Sequence, residues 1–285
     1  MAVYQSVQTT APAAGTSVVI TKPTSLAVGD IMVAHIAHTA GGFNATINTP
    51  AGWTDIADTA FSVNFRAKVV FKVADAGDVA ASNFTFTGNG TGNPYIGGAI
   101  LRINGSGLSL VNDGVGSGAW SGTSADLAIG ITATRASDLY LILVTGTSGV
   151  ATLNDISAYA IATSNPSWTE AYDVANNTGI NSMAGAYATR AQITATGNVS
   201  FNSFRNASAG TAVIVAIASP ISVTTDADSV NLDIVPVSPA VSAGANFAIS
   251  APVNLALGLP IVTSGILLWT NIKKSVTSWV NQTKN

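Results

Sequence analysis

The chain has 285 residues, of which 9% are charged, and its 14 acidic and 11 basic side chains leave a net charge of −3. That balance lacks the clustered positive charge that nucleic acid binding requires, and the absence of cysteine excludes both a disulfide framework and a cysteine-ligated zinc site. With 27 glycines and a 47% hydrophobic content, the surface has to be built from Ser, Thr, Asn and Ala, since an average soluble domain is roughly 25% charged.

The amino terminus, Met1-Ala2-Val3-Tyr4-Gln5, shows no basic region followed by an apolar run. No secretory signal is expected, and synthesis in the cytoplasm is. Beyond it, short runs rich in Val, Ile, Thr, Phe and Ala alternate with clusters of Gly, Asn, Asp, Ser and Pro, a pattern that predicts strands nearly throughout. Residues 31–37 are apolar on both faces and predict a central strand covered on both sides, with 69–73 in the same core. His35 lies inside that run, and His38 is the only other histidine. With neither cysteine nor a third histidine to complete a site, His35 reads as a core residue, and no metal or cofactor is expected. Phe84-Thr85-Phe86-Thr87 alternates as a half-buried strand, and Gly88-Asn89-Gly90-Thr91-Gly92 supplies a tight reversal.

About 110 residues later the same features return in order, a period far above that of solenoid repeats. Ile20-Thr21 is matched by Ile131-Thr132, and Gly29-Asp30-Ile31-Met32-Val33-Ala34 by Ser137-Asp138-Leu139-Tyr140-Leu141-Ile142. Pro50-Ala51-Gly52-Trp53-Thr54-Asp55 is matched by Asn165-Pro166-Ser167-Trp168-Thr169-Glu170, and Phe84-Thr85-Phe86 by Val199-Ser200-Phe201. Gly98-Ala99-Ile100-Leu101 returns as Gly210-Thr211-Ala212-Val213-Ile214. Residues 139–144 are likewise apolar on both faces, and 213–217 are expected in the same core as 31–37 and 69–73. Each copy carries a marginal set of large apolar residues for an independent domain. The expected fold is all-β, a jelly-roll-like double-sheet sandwich over residues 1–218, to which halves of about 1–110 and 111–218 each contribute one part.

Residues 219–229 read as a linker, because Pro220 and the polar Thr224-Thr225-Asp226-Ala227-Asp228 interrupt the strand pattern. Residues 230–285 read as an extended assembly arm, with prolines that keep its short strands off a central sheet position. Residues 253–269 are too interrupted, by Asn254, Gly258, Pro260 and Gly265, for a membrane span of about 20 residues. At the end, Trp269, Ile272, Val276 and Trp279 fit one face of a helix, while the Thr, Val and Asn content fits short strands. Leu257, Ile266, Leu268, Trp269 and Trp279 are the expected assembly contacts, since so apolar a segment needs a partner surface.

Catalytic signatures are weak. The carboxylate pairs Asp55 and Asp58, Asp75 and Asp78, Glu170 and Asp173, and Asp226 and Asp228 belong to no EF-hand-like loop and read as residues where strands turn. No Gly-x-Ser-x-Gly elbow occurs. Trp53 and Trp168, at matching places in the two copies, read first as packing residues. Together with Trp120 and Tyr95 they are also the candidate stacking platforms for a glycan, which makes a carbohydrate-binding module the alternative function.

Ile20-Thr21-Lys22-Pro23, Val28-Gly29-Asp30-Ile31-Met32-Val33-Ala34, Thr49-Pro50-Ala51-Gly52-Trp53-Thr54 and Gly97-Gly98-Ala99-Ile100-Leu101 together resemble a group of β-sandwich proteins of tailed bacteriophages and prophages. The resemblance covers roughly residues 16–218, the second copy having Ser167 in place of the motif's Gly, and Trp279-Val280-Asn281-Gln282-Thr283-Lys284 is similar to endings of phage structural proteins. Members are virion components of tail-fibre, tail-tip or capsid-surface type. With no catalytic constellation in the sequence, the resemblance implies a non-enzymatic structural protein located in the virion, with other virion proteins as partners; a host surface glycan is the partner of the carbohydrate-binding alternative. Apolar sheet edges, the arm from residue 230 onward and sparse charge predict a homo-oligomer, and the resemblance suggests a trimer.

Overall fold

The computed structural model describes residues 2–40, 45–104, 112–121, 124–133, 138–147, 156–175, 182–190, 195–203 and 209–217. All of them lie in one compact unit, Met1–Thr224. The linker and the arm expected at 219–285 lie outside the described residues.

The first copy runs through β1 (Val3–Ala14), β2 (Ser17–Thr21), β3 (Ile31–Thr39), β4 (Thr46–Ile47), β5 (Thr54–Ser62) and β6 (Phe65–Val73). A short helix α1 (Ala76–Ala80) precedes β7 (Asn83–Asn89) and β8 (Tyr95–Asn104). The second copy comprises β9 (Asn112–Ser121), β10 (Ser124–Leu127), β11 (Asp138–Thr147), β12 (Ile156–Ile161), β13 (Thr169–Ala175), β14 (Ser182–Arg190), β15 (Val199–Ser203) and β16 (Ala209–Ile217).

Every pairing is antiparallel, and the two copies share one topology. The first forms a sheet of order β1-β8-β3-β6-β5 and a second of order β2-β7-β4; the other copy repeats both as β9-β16-β11-β14-β13 and β10-β15-β12. Pairing first with eighth, second with seventh and third with sixth strand is the wrapped hairpin of a jelly roll. One departure is common to both copies: the fifth strand extends the larger sheet instead of joining the fourth.

The all-β sandwich of two related halves is thus present, and its layering is finer than one part per copy. Each copy supplies a five-stranded and a three-stranded sheet, and the two five-stranded sheets pack on each other. Side-chain alternation explains this. Along β3, Ile31, Val33 and Ala37 face the second copy, while Met32, Ala34 and Ile36 face the small sheet of their own copy. Along β11, Leu139, Leu141 and Leu143 face the first copy and Tyr140, Ile142 and Val144 turn inward. The continuous apolar runs are therefore strands between two cores. At the seam β1 lies against β13 and β5 against β9. Since β9 is the counterpart of β1 and β13 that of β5, the contact is the same surface used twice, as in a twofold interface.

Strand register aligns the copies residue by residue. Ile31 sits opposite Val73 and Ile103, and Leu139 opposite Thr189 and Ile217. A register shift between Asp55 and Ala57 in β5 recurs between Glu170 and Tyr172 in β13, so the bulge after each Trp-Thr is duplicated. Two sequence matches shift. Leu127 opposite Val199 holds the place of Ile20 opposite Phe84, whereas Ile131 lies beyond β10. In the last strand Ile100 and Ile214 are equivalent, opposite Ala34 and Ile142. The helix α1 is an addition to the strand-only expectation. Asp75 caps it by accepting the Asp78 N–H at 2.9 Å, and Asp78 returns the bond to the Asp75 N–H. No helix among the described residues is long and apolar enough to cross a membrane.

Candidate functional site

The duplicated Trp-Thr-acid segment has different surroundings in the two copies. In the first, half-buried Trp53 packs edge-on against Phe84 and Phe86, with ring centres 5.8 and 5.2 Å away. Opposite Asp58 stands Lys68, a buried side chain whose Nζ lies 3.1 Å from Asp55 and 3.5 Å from Asp58 and donates to the Ile47 carbonyl at 3.2 Å. Arg66 donates to Asp58, and the Thr49 hydroxyl donates to Asp55. The slot beside these carboxylates is occupied by an ammonium group.

In the second copy Asp173 stands opposite Ala184, the counterpart of Lys68. Beside Glu170 opens a groove of about 510 Å³ lined by Ser157, Tyr159, Asn165, Trp168 and Glu170 among others. A register shift between Ser157 and Ala160, with Ala158 at φ 54, turns the β12 backbone at its wall. Asn165 organises the opposite wall: its Oδ1 accepts the Ile161 N–H at 3.0 Å and the Trp168 indole N–H at 2.9 Å. Trp168 is half-buried, packed against the second copy's inner core. Tyr159 is 8% exposed, and its hydroxyl makes no hydrogen bond to another described residue. Burial, reinforced by the negative charges of Glu170 and Asp173, pushes that hydroxyl's pKa up, so it stays a donor.

The other sequence-predicted residues are placed elsewhere. Trp120, 4% exposed, meets Phe201 edge-on and donates its indole N–H to the Thr145 carbonyl at 3.3 Å, which leaves it no face for a ligand. Tyr95 opens β8, half-buried. The expected position of the carboxylate pairs at strand turns is corrected: Asp55 and Asp58 lie within β5, Glu170 and Asp173 within β13, and Asp75 and Asp78 cap a helix. Among the described residues no group of three or more His, Asp or Glu is arranged to hold a metal. Asp226, Asp228 and the assembly contacts Leu257, Ile266, Leu268, Trp269 and Trp279 lie outside the described residues.

His35 is fully buried in the seam between the copies. Its Nδ1 is 2.6 Å from the Tyr172 hydroxyl and its Nε2 2.7 Å from the Thr145 hydroxyl, both in the second copy. Burial lowers its pKa from 6.5 to about 3, so the ring is neutral. His38, equally inaccessible, is lowered by burial too. Sequence reading missed Tyr159 and Tyr172. The signal for Tyr172 was an aromatic residue where the first copy's duplicate has Ala57, and Tyr159 carried none.

Comparison with known proteins yields no match: no family model fits the sequence, and neither a curated protein nor a solved structure matches the chain.

Proposed function

We propose that this chain is a non-enzymatic structural protein of a tailed bacteriophage virion, a surface appendage or decoration of tail-fibre, tail-tip or head-surface type. The observation that carries the reading is the jelly-roll topology traced twice, with the copies joined through their larger sheets. Jelly rolls recur in capsid and lectin domains, and the reading rests on that fold-level analogy together with the phage-like motifs around Trp53. Two inner cores and a seam between them hold the unit, so its loops and small sheets are carried on a stiff support. In this reading the protein works in the virion as a homo-oligomer among other virion proteins, and residues 230–285 attach it.

Mass spectrometry of purified particles from a phage or induced prophage that encodes the chain tests this. The protein is expected in mature virions at stoichiometric abundance. Its absence from them overturns the proposal.

A further inference from the structure

We propose that the second jelly roll binds a short neutral or amino-sugar saccharide in the groove between Trp168, Tyr159 and Glu170, and that the first jelly roll has lost or never had this capacity because Lys68 fills the equivalent slot. The duplication supplies an internal control. Trp53 and Trp168 occupy the same step before the same bulge, and Asp55 and Asp58 correspond to Glu170 and Asp173. The strand opposite carries lysine in one copy and alanine in the other. In the copy with the small residue a groove lies beside Glu170, the counterpart of Asp55.

The chemistry of the lining fits a sugar. Its volume, about 510 Å³, lies within the range of small-molecule sites. Trp168 offers an indole whose orientation is fixed in advance by Asn165, so stacking against the C–H face of a pyranose costs little ordering. Sugar hydroxyls both donate and accept. Glu170 supplies an acceptor and Asn165 an amide, and the Tyr159 ring lines the wall between them. Glu170 and Asp173 set the charge preference: an anionic sugar meets like charge, whereas a neutral or amino sugar does not. The inference does not depend on residence in a virion, and the two tests fail separately.

Titration of the full chain with the methyl glycosides of glucose, galactose, mannose and N-acetylglucosamine, and with glucuronic acid, is followed by tryptophan fluorescence and ligand-observed NMR. At least one neutral glycoside is expected to bind with millimolar affinity, and glucuronic acid at least tenfold more weakly. Trp168→Ala is expected to weaken binding at least tenfold, and Trp53→Ala to leave it unchanged. Glu170→Gln, at an exposed position, keeps the test alive should Trp168→Ala fail to fold, and is expected to weaken binding severalfold with an unchanged circular dichroism spectrum. The proposal is overturned by no binding across the neutral panel, by equal binding of glucuronic acid, or by a loss on Trp53→Ala that matches the loss on Trp168→Ala. Unchanged affinity in Glu170→Gln overturns it as well.

Discussion

His35 of the first jelly roll and Tyr172 of the second share a 2.6 Å hydrogen bond, made inside an apolar seam lined by Val33, Val69, Leu141 and Leu143. A neutral imidazole there has one donor and one acceptor nitrogen, and the Tyr172 and Thr145 hydroxyls can serve either. The pair therefore places a polar clamp between two sheets held mainly by hydrophobic contact.

That clamp is sensitive to acid. Because burial lowers His35 from 6.5 to about 3, the unfolded chain takes up a proton that the folded chain refuses between those values. The contribution is fully present above pH 6.5 and is lost as pH falls toward 3, up to about 5 kcal/mol across the whole gap. Urea unfolding between neutral pH and about pH 3 should show this loss. His35→Asn, which retains hydrogen-bonding groups without titrating, should flatten the acid limb; an equal slope in both proteins refutes the assignment.

Tyr172→Phe keeps the ring and deletes the clamp's hydroxyl. Leaving His35 Nδ1 unsatisfied in the seam should cost about 1–3 kcal/mol. A double-mutant cycle with Thr145→Val, whose hydroxyl meets the other nitrogen, should give coupling well above the ~0.5 kcal/mol of independent sites. Simple additivity would mean that the two bonds act separately.

The start of the first central strand depends on Asp30, whose Oδ2 accepts from Arg102 Nε at 2.6 Å and from the Ala27 N–H at 2.8 Å. Both partners of the ion pair are largely buried. Arg102→Met strands the carboxylate and should cost about 3–5 kcal/mol in chemical denaturation. Asp30→Asn, which keeps an acceptor, should cost less.

Gly116 lies where β9 passes the backbone of Ile129. A Cβ there would stand 1.7 Å from the Ile129 carbonyl oxygen, a clash that only backbone movement relieves. Gly116→Ala should lower stability by more than ~3 kcal/mol, seen as a fall in Tm. Val28→Ala, at an exposed position, should change it by less than ~0.5 kcal/mol.

Deleting residues 229–285 should leave a folded unit with the circular dichroism of a β protein. On the proposed division of labour it no longer incorporates into particles that lack the native chain, and light scattering shows the oligomer reduced to monomer. Normal incorporation of the truncated chain would assign attachment to the jelly rolls.

The strands were legible because their chemistry is local. Residues 31–37 and 139–144 read as doubly covered strands, and Phe84-Thr85-Phe86 as a half-buried one, and so they are. The layering was not, because a strand apolar on both faces does not say which sheet covers each face. Ile131 misaligned because Ile129, Ile131 and Ala133 continue burying alternate side chains past the last paired residue of β10. Asp75 and Asp78 were visible as a carboxylate pair, yet the same spacing is a capping box once the short helix is recognised. At the groove, the position of Trp168 was legible from the repeat. The opening beside it is lined by Ser157 and Tyr159 of another strand, at a register shift that no residue type announces.

In a dimer of identical jelly rolls joined by this seam, every substitution would appear twice, and association would weaken on dilution. Carrying both copies on one chain removes both constraints. The partner is supplied at a fixed effective concentration set by the connecting segment rather than by expression level, and each copy is free to change alone. His35 faces a partner whose equivalent residue is Leu143, and Lys68 answers to Ala184. The duplicated scaffold thus retains a symmetric frame while its two ends diverge, and a single-copy variant of either half should behave as an association-prone protein with one apolar sheet face uncovered.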